Sequence, residues 1–175
     1  MRSKNKRIRR VCAACAAPLL VLGGAVTASA VVPGTPAVAP ASAVSTVQQS
    51  SPGEILSLVN AERAKAGCEP LKENAKLMQA AQAHADDMAK NNLSGHDGSD
   101  GSTYLARMEK AGYSPNGPSS ENVSGPGYDS SKAHVDGWMA SNKGHRAAIL
   151  NCQYKETGIG TNGQYAVQLF AVSSR

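Results

Sequence analysis

The stretch Trp-Met-Ala-Ser-Asn-Lys-Gly-His-Arg-Ala-Ala-Ile-Leu-Asn-Cys, residues 138–152, decides how this chain is read. It holds the sole tryptophan of the sequence, a histidine directly after a glycine, and an apolar pair ending close to a cysteine. The spacing predicts the end of an amphipathic helix, a break at Gly144, and a short second helix. That helix presents His145 in its first turn while Ile149 and Leu150 face inward. A histidine so placed is displayed rather than hidden.

On the N-terminal side, Ser130 or Ser131 caps a helix to about residue 142 that turns Val135, Trp138 and Met139 inward. His134, one turn before Trp138, falls at the edge of that core and is given no role. On the C-terminal side, residues 157–161 and 165–172 read as two strands joined at Asn162-Gly163-Gln164, with Asn-Gly as the hairpin signal. An isolated hairpin is marginal in water, so further strand must come from loops such as 121–125, with helices covering the sheet.

Upstream, Ser51-Pro52-Gly53-Glu54 is a capping box with proline at the first helical position. Ile55, Leu58, Val59 and Glu62 follow at helical spacing, predicting a helix over about 54–66 stopped by Gly67. Asn74 caps a second helix over 75–91 whose inward stripe is Leu77, Ala81, His84, Ala85 and Met88. A histidine on an apolar stripe is more often a satisfied core residue than a ligand, so His84 reads as structural. Residues 91–102 are a loop rich in Asn, Gly, Ser and Asp, and within it function and plain solvation are equally good readings of His96. The Asp-Gly-Ser-Asp-Gly run at 97–101 lacks the spacing of a calcium loop and reads as a turn closed by its Asp side chains. A third helix, about 103–111, places Tyr104, Leu105 and Met108 inward and ends at Gly112.

The first ten residues carry six cations and no anion, and Val11 to Val32 is almost wholly apolar, the pattern of a secretory leader. Ala-Ser-Ala triplets at 28–30 and 41–43 are the cleavage candidates, the second preferred. A retained anchor is the competing reading, because 22 apolar residues can span about 30 Å of bilayer, but the run's small residues favour removal. Residues 1–43 are thus expected to be leader and leader remnant, 44–50 a flexible tail, and 51–175 one domain. Removing the six leader cations from the 18 Lys and Arg leaves 12 against 13 Asp and Glu, a net charge of −1 instead of +5. The exported part has no electrostatic case for nucleic acid. Cys12-Ala-Ala-Cys15 falls inside the leader, which leaves Cys68 and Cys152 to pair in an oxidising compartment. A bridge closing so long a loop stabilises by roughly 4–5 kcal/mol in the chain-entropy picture.

With Ser94-Gly95-His96-Asp97, residues 58–67, Ala111-Gly112-Tyr113, Ser120-Glu121-Asn122-Val123 and the 138–152 stretch together, the chain resembles the CAP superfamily in its bacterial secreted form. That superfamily comprises cysteine-rich secretory proteins, antigen 5 and pathogenesis-related 1 proteins. The resemblance covers most of 54–172 and implies an α+β fold, a three-layer α-β-α sandwich with a small antiparallel sheet flanked by helices. It also implies a cleft that many members line with two histidines and two glutamates. Matched by motif, these are His96, Glu121 and His145; where the second glutamate belongs, three residues after the tryptophan, stands Ser141. Many relatives carry several disulfides, and this chain can make one.

Two imidazoles and a carboxylate are a sufficient ligand set for zinc or another divalent cation with an open position, so His96, Glu121 and His145 are the candidate metal ligands. Ser141 supplies neither a base for bound water nor a second carboxylate. The expectation is therefore a secreted module that binds an extracellular ligand or protein partner, with a weak metal site in its cleft and no stable membrane anchor after processing. Lipid is a further candidate ligand, and a metal-dependent hydrolase of extracellular peptide or polymer is the alternative. The leader reading has a direct check: mass spectrometry of culture supernatant should find a chain beginning at Val44, or failing that Val31, whereas a cell-bound protein retaining Met1 contradicts it.

Overall fold

Ser51 accepts a hydrogen bond from the Glu54 N–H at 3.3 Å and so opens the first helix, α1 (Pro52–Lys65), with proline in its first turn as the capping box requires. The computed structural model describes residues 49–173; the leader, both cleavage candidates and residues 44–48 lie outside them. After α1 come β1 (Lys72–Glu73), α2 (Ala75–Asn91), α3 (Tyr104–Lys110), β2 (Ser119–Ser124), α4 (Ser131–Ala140), α5 (His145–Ile149), β3 (Glu156–Asn162) and β4 (Tyr165–Ala171). Asn74 caps α2, Thr103 caps α3 and Ser130 caps α4 through their side chains. The two-residue strand β1 was not expected from the sequence.

The four strands form one sheet in the order β1-β3-β4-β2. β1 runs parallel to β3, while β3–β4 and β4–β2 are antiparallel. The central strand β4 is buried along its whole length and alternates its side chains between two cores. Ala166 and Phe170 join Ile55, Val59, Val135, Trp138 and Ile149 under α1, α4 and α5. Val167, Leu169 and Ala171 join Leu77, Ala81, Met88 and Met108 under α2 and α3. The result is the three-layer α-β-α sandwich, of α+β class, with helices on both faces of the sheet.

The layer spacing explains the Gly-x-Gly of β3. A Cβ on Gly158 would stand 2.0 Å from the Leu77 carbonyl carbon, and one on Gly160 would stand 2.3 Å from the Gln82 amide nitrogen. α2 therefore lies backbone-to-backbone on β3, a closeness only glycine permits. Ile159, between them, points into the opposite core.

Three inward faces differ from the expected ones. On α1 the buried residues are Ile55, Val59 and Arg63, with Leu58 half-buried and Glu62 turned aside. On α3 they are Arg107 and Met108, while Leu105 is exposed. Each helix is rotated to bring an arginine inside. Arg63 is fully buried and donates to four carbonyls, those of Glu69, Ile149, Asn151 and Tyr154, at 2.7–3.1 Å. Ile149 ends α5 and the others lie in loops, where the Asn151 carbonyl also accepts the Tyr154 N–H; a buried carbonyl left unpaired would cost about 1–3 kcal/mol. The Cys68–Cys152 disulfide links the same two segments. His134, expected at the core's edge, is fully buried between Tyr128 and Trp138.

Gly158→Ala should lower stability by about 3 kcal/mol or more, because the backbone of α2 cannot yield as a flexible side chain would. Denaturant unfolding checks this, and a loss below about 1 kcal/mol would contradict the packing described.

Candidate ligand-binding cleft

The loop that carries His96 is anchored before the histidine is reached. His84, on the buried face of α2, has Nε2 3.1 Å from the Gly95 carbonyl, so Nε2 carries the proton and the ring is neutral with Nδ1 bare. Burial lowers its pKa, in keeping with that role. Asp87, one turn further along α2, accepts from the Ser99 backbone N–H and hydroxyl at 2.7 and 2.6 Å. Asp100 accepts from the Ser102 N–H, so the acidic run is a turn closed by its own side chains. His96 stands half-exposed between these two anchors.

Glu121 comes from β2 and its side chain is buried. Its Oε1 lies 3.0 Å from His96 Nδ1, and its Oε2 accepts from Arg107 at 2.8 Å. Arg107 also donates to the His96 carbonyl at 2.9 Å and the Ser102 carbonyl at 2.6 Å, so one guanidinium joins α3, the His96 loop and β2. The hydrogen bond to Glu121 holds the pKa of His96 above its ordinary value. His145, at the first turn of α5 after Gly144 in left-handed backbone, faces the same cleft from the other helical layer. Burial, then the charge of His96, lowers its pKa. The Asn122 side chain donates to the His145 carbonyl at 3.1 Å and fixes the start of α5 to β2.

The cleft encloses about 420 Å³. His96, Asp97, Thr103 and Tyr104 form one wall, Lys143, Gly144 and His145 the other, and Ser120, Glu121 and Asn122 of β2 the floor. His96, Glu121 and His145 thus meet in one cleft although 25 and 24 residues separate them in sequence. Ser141 does not join them. It ends α4, accepts from the Lys143 N–H at 3.0 Å, and lines a neighbouring depression with Tyr128 and Trp138 that shares Lys143 and His145 with the cleft. Sequence reasoning missed Arg107, Tyr104, Asn122 and Lys143. For Arg107 a signal existed: positions 104, 107, 108 and 111 are one helical face, and an arginine on it is as informative as a leucine.

Of the three matched residues, Glu121 is not free to ligate a divalent cation as it stands. Both oxygens of Glu121 are engaged, one by a buried guanidinium that would face the incoming charge at close range. Nδ1 of His96 faces the same carboxylate, which leaves Nε2 as the free nitrogen of that ring. Among the described residues no three His, Cys, Asp or Glu side chains gather in a way that could hold a metal ion. The arrangement is instead a hydrogen-bonded chain, Arg107–Glu121–His96, facing a neutral imidazole across a polar cleft.

Residues 56–173 match the family model described as the cysteine-rich secretory protein family, CAP. Among proteins of similar sequence, the membrane protein YlbC of Bacillus subtilis is 32% identical over 124 residues, which are 71% of this chain and 35% of YlbC. Its compatriot YkwD is 32% identical over 107 residues, 61% of this chain and 40% of that protein. Among solved structures, an extracellular SCP-domain protein of Bacillus anthracis superposes with a TM-score of 0.65 at 26% identity, over 69% of this chain and 39% of that one. The chain therefore spans well under half the length of these relatives. An outer surface protein of Borrelia burgdorferi shares the fold, with a TM-score of 0.59 at 20% identity over 69% of this chain and 90% of that one.

Three of the four perturbed rings, those of His96, His145 and His134, give a pH signature of known sign. The raised pKa of His96 means its bond to Glu121 contributes stability fully below about pH 6.5 and loses that contribution as pH rises through the folded value. His145 and His134 act oppositely, stabilising as neutral rings above about 6.5 and less as pH falls; for His134, whose pKa burial lowers to about 4, the loss runs from about 6.5 down to about 4. Histidine NMR titration should therefore show His96 titrating above His145, and His134 last. His145 titrating above His96 would contradict the geometry.

Proposed function

Since the chain belongs to the cysteine-rich secretory protein family and is of its bacterial type, we propose that it is an extracellular binding module whose ligand or partner sits in the cleft between His96 and His145. The observation that carries this is the engagement of Glu121. A carboxylate held by Arg107 and His96 fixes the wall that carries His96 and is poorly placed to take a proton from water or to ligate an ion. The walls add a hydroxyl from Tyr104, an imidazole from His145 and an ammonium from Lys143, the mix of donors and acceptors that fixes the orientation of a polar ligand. Export is supported by the leader pattern and by the extracellular and outer-surface descriptions of the structural neighbours. No helix among the described residues is long and apolar enough to cross a membrane.

Two titrations test the reading. Zinc chloride added to the full chain should give no heat of binding at micromolar concentrations, and Ser141→Glu should not create such a site, because residue 141 lines the neighbouring depression. A digest of bacterial cell wall and a digest of extracellular protein should include a fragment that shifts the amide signals of His96, Asn122 and His145 while its own mass stays unchanged. Fragment cleavage that disappears in His96→Ala would overturn the binding module in favour of a hydrolase, and tight zinc binding lost in the same variant would restore the metal.

A further inference from the structure

The floor of the cleft is the open edge of the sheet. β2 is an outer strand in the order β1-β3-β4-β2, and its inner side pairs with β4. Which of its backbone groups face outward follows from their neighbours. The carbonyls of Leu169 and Ala171 in β4 accept from Thr157 Oγ1 and the Lys155 N–H, so those residues direct their backbone toward β3. Alternation then turns residues 166, 168 and 170 toward β2, where their partners are Ser124, Asn122 and Ser120. Ser119, Glu121 and Val123 are left pointing outward. Two side chains agree: Tyr104 Oη donates to the Ser119 carbonyl at 3.3 Å, and Trp138 Nε1 to the Val123 carbonyl at 3.1 Å.

Those two donors cap the outward carbonyls at either end of β2 and leave the N–H and carbonyl of Glu121 between them. The whole residue is 5% exposed while its side chain is 1% exposed, so what solvent reaches Glu121 touches its backbone. An unpaired edge is a template for another strand, and proteins that do not use such an edge cover it, charge it or bulge it. Here the two helical layers stand apart along it, and the cleft continues past His145 and Lys143 into the depression beside Tyr128 and Trp138. Ser119 and Val123 stand about 13 Å apart along the strand, and the free backbone between their capped carbonyls is that of Glu121. Lys143 borders both halves of this groove and makes no ion pair among the described residues.

We propose that the cleft takes an extended peptide, which adds to the edge of β2 by pairing its backbone with the N–H and carbonyl of Glu121 and sets a carboxylate side chain against Lys143. This deepens the binding-module reading and rests on it. Backbone pairing supplies affinity, and the flanking walls of His96 and His145 select side chains at alternate positions. A polysaccharide lacks the alternating N–H and carbonyl that the Glu121 edge would satisfy.

The test is a positional-scanning library of blocked hexapeptides titrated into the isotope-labelled full chain. The tightest peptides should carry an acidic residue and shift the Glu121 and Val123 amides. N-methylating alternate peptide amides should abolish binding in one register and spare it in the other, and Lys143→Glu should weaken the acidic peptides about tenfold. Binding indifferent to N-methylation in both registers would overturn the edge pairing, as would no binding by any member at about 1 mM. So would sedimentation showing that β2 is already occupied by a second copy of the chain. If a cell-wall fragment binds through His96 and His145 without moving the Glu121 amide, the peptide proposal fails and the binding module stands.

Discussion

One buried ion pair, Arg107 with Glu121, sets the geometry of everything around the cleft. The two side chains are 8% and 1% exposed, and the terminal nitrogens of the guanidinium also donate to the carbonyls of His96 and Ser102. A buried pair of this kind is weak evidence of net stabilisation, but removing one partner strands the other charge and costs about 3–5 kcal/mol. Its effect is positional: a loop without secondary structure is fixed to a helix on one side and a sheet edge on the other. His96 has a defined place because its own carbonyl and its own ring are both held by that pair.

The opposite wall is built by the same device. α5 is only five residues long and cannot hold itself in place. Arg63 reaches from α1 to accept the burden of its last carbonyls, the disulfide ties Cys152 to the loop after α1, and the Asn122 amide ties the first carbonyl to β2. In both walls a long cationic side chain is buried chiefly as a donor, satisfying turn carbonyls that no ladder reaches. The glycines of β3 complete the frame by letting α2 settle directly on the strand, which fixes the layer from which His84 and Asp87 hold the His96 loop.

Much of this was legible in the sequence where the signal was local. The caps at Ser51, Asn74 and Ser130, the apolar stripe of α2 and the Asn-Gly hairpin each rest on a few neighbouring residues, and each lies where the pattern put it. The disulfide followed from a count of cysteines once the leader was set aside. What escaped was long-range or contrary to type. Arg63 and Arg107 carry no apolar signal, so the faces of α1 and α3 were drawn through Glu62 and Leu105 without them. Their burial is decided by carbonyls and a carboxylate far along the chain. β1 is too short to carry a period of its own and exists because β3 offers it an edge. At the cleft, family motif brought His96, Glu121 and His145 together, while the hydrogen bonds that engage Glu121 had no sequence signature. Ser141 was assigned to the cleft by the family resemblance, and the backbone turn that ends α4 carries it into the next depression.

The claim on which the account turns is that Glu121 is committed to Arg107 and not held ready for a cation. A double-mutant cycle in denaturant, with Arg107→Met, Glu121→Gln and the pair together, measures that commitment. The account predicts that each single change is costly and that the double variant is more stable than their sum implies by at least about 1 kcal/mol, the mark of two groups in direct contact. Additivity within about 0.5 kcal/mol would show the two side chains to be independent and would contradict it.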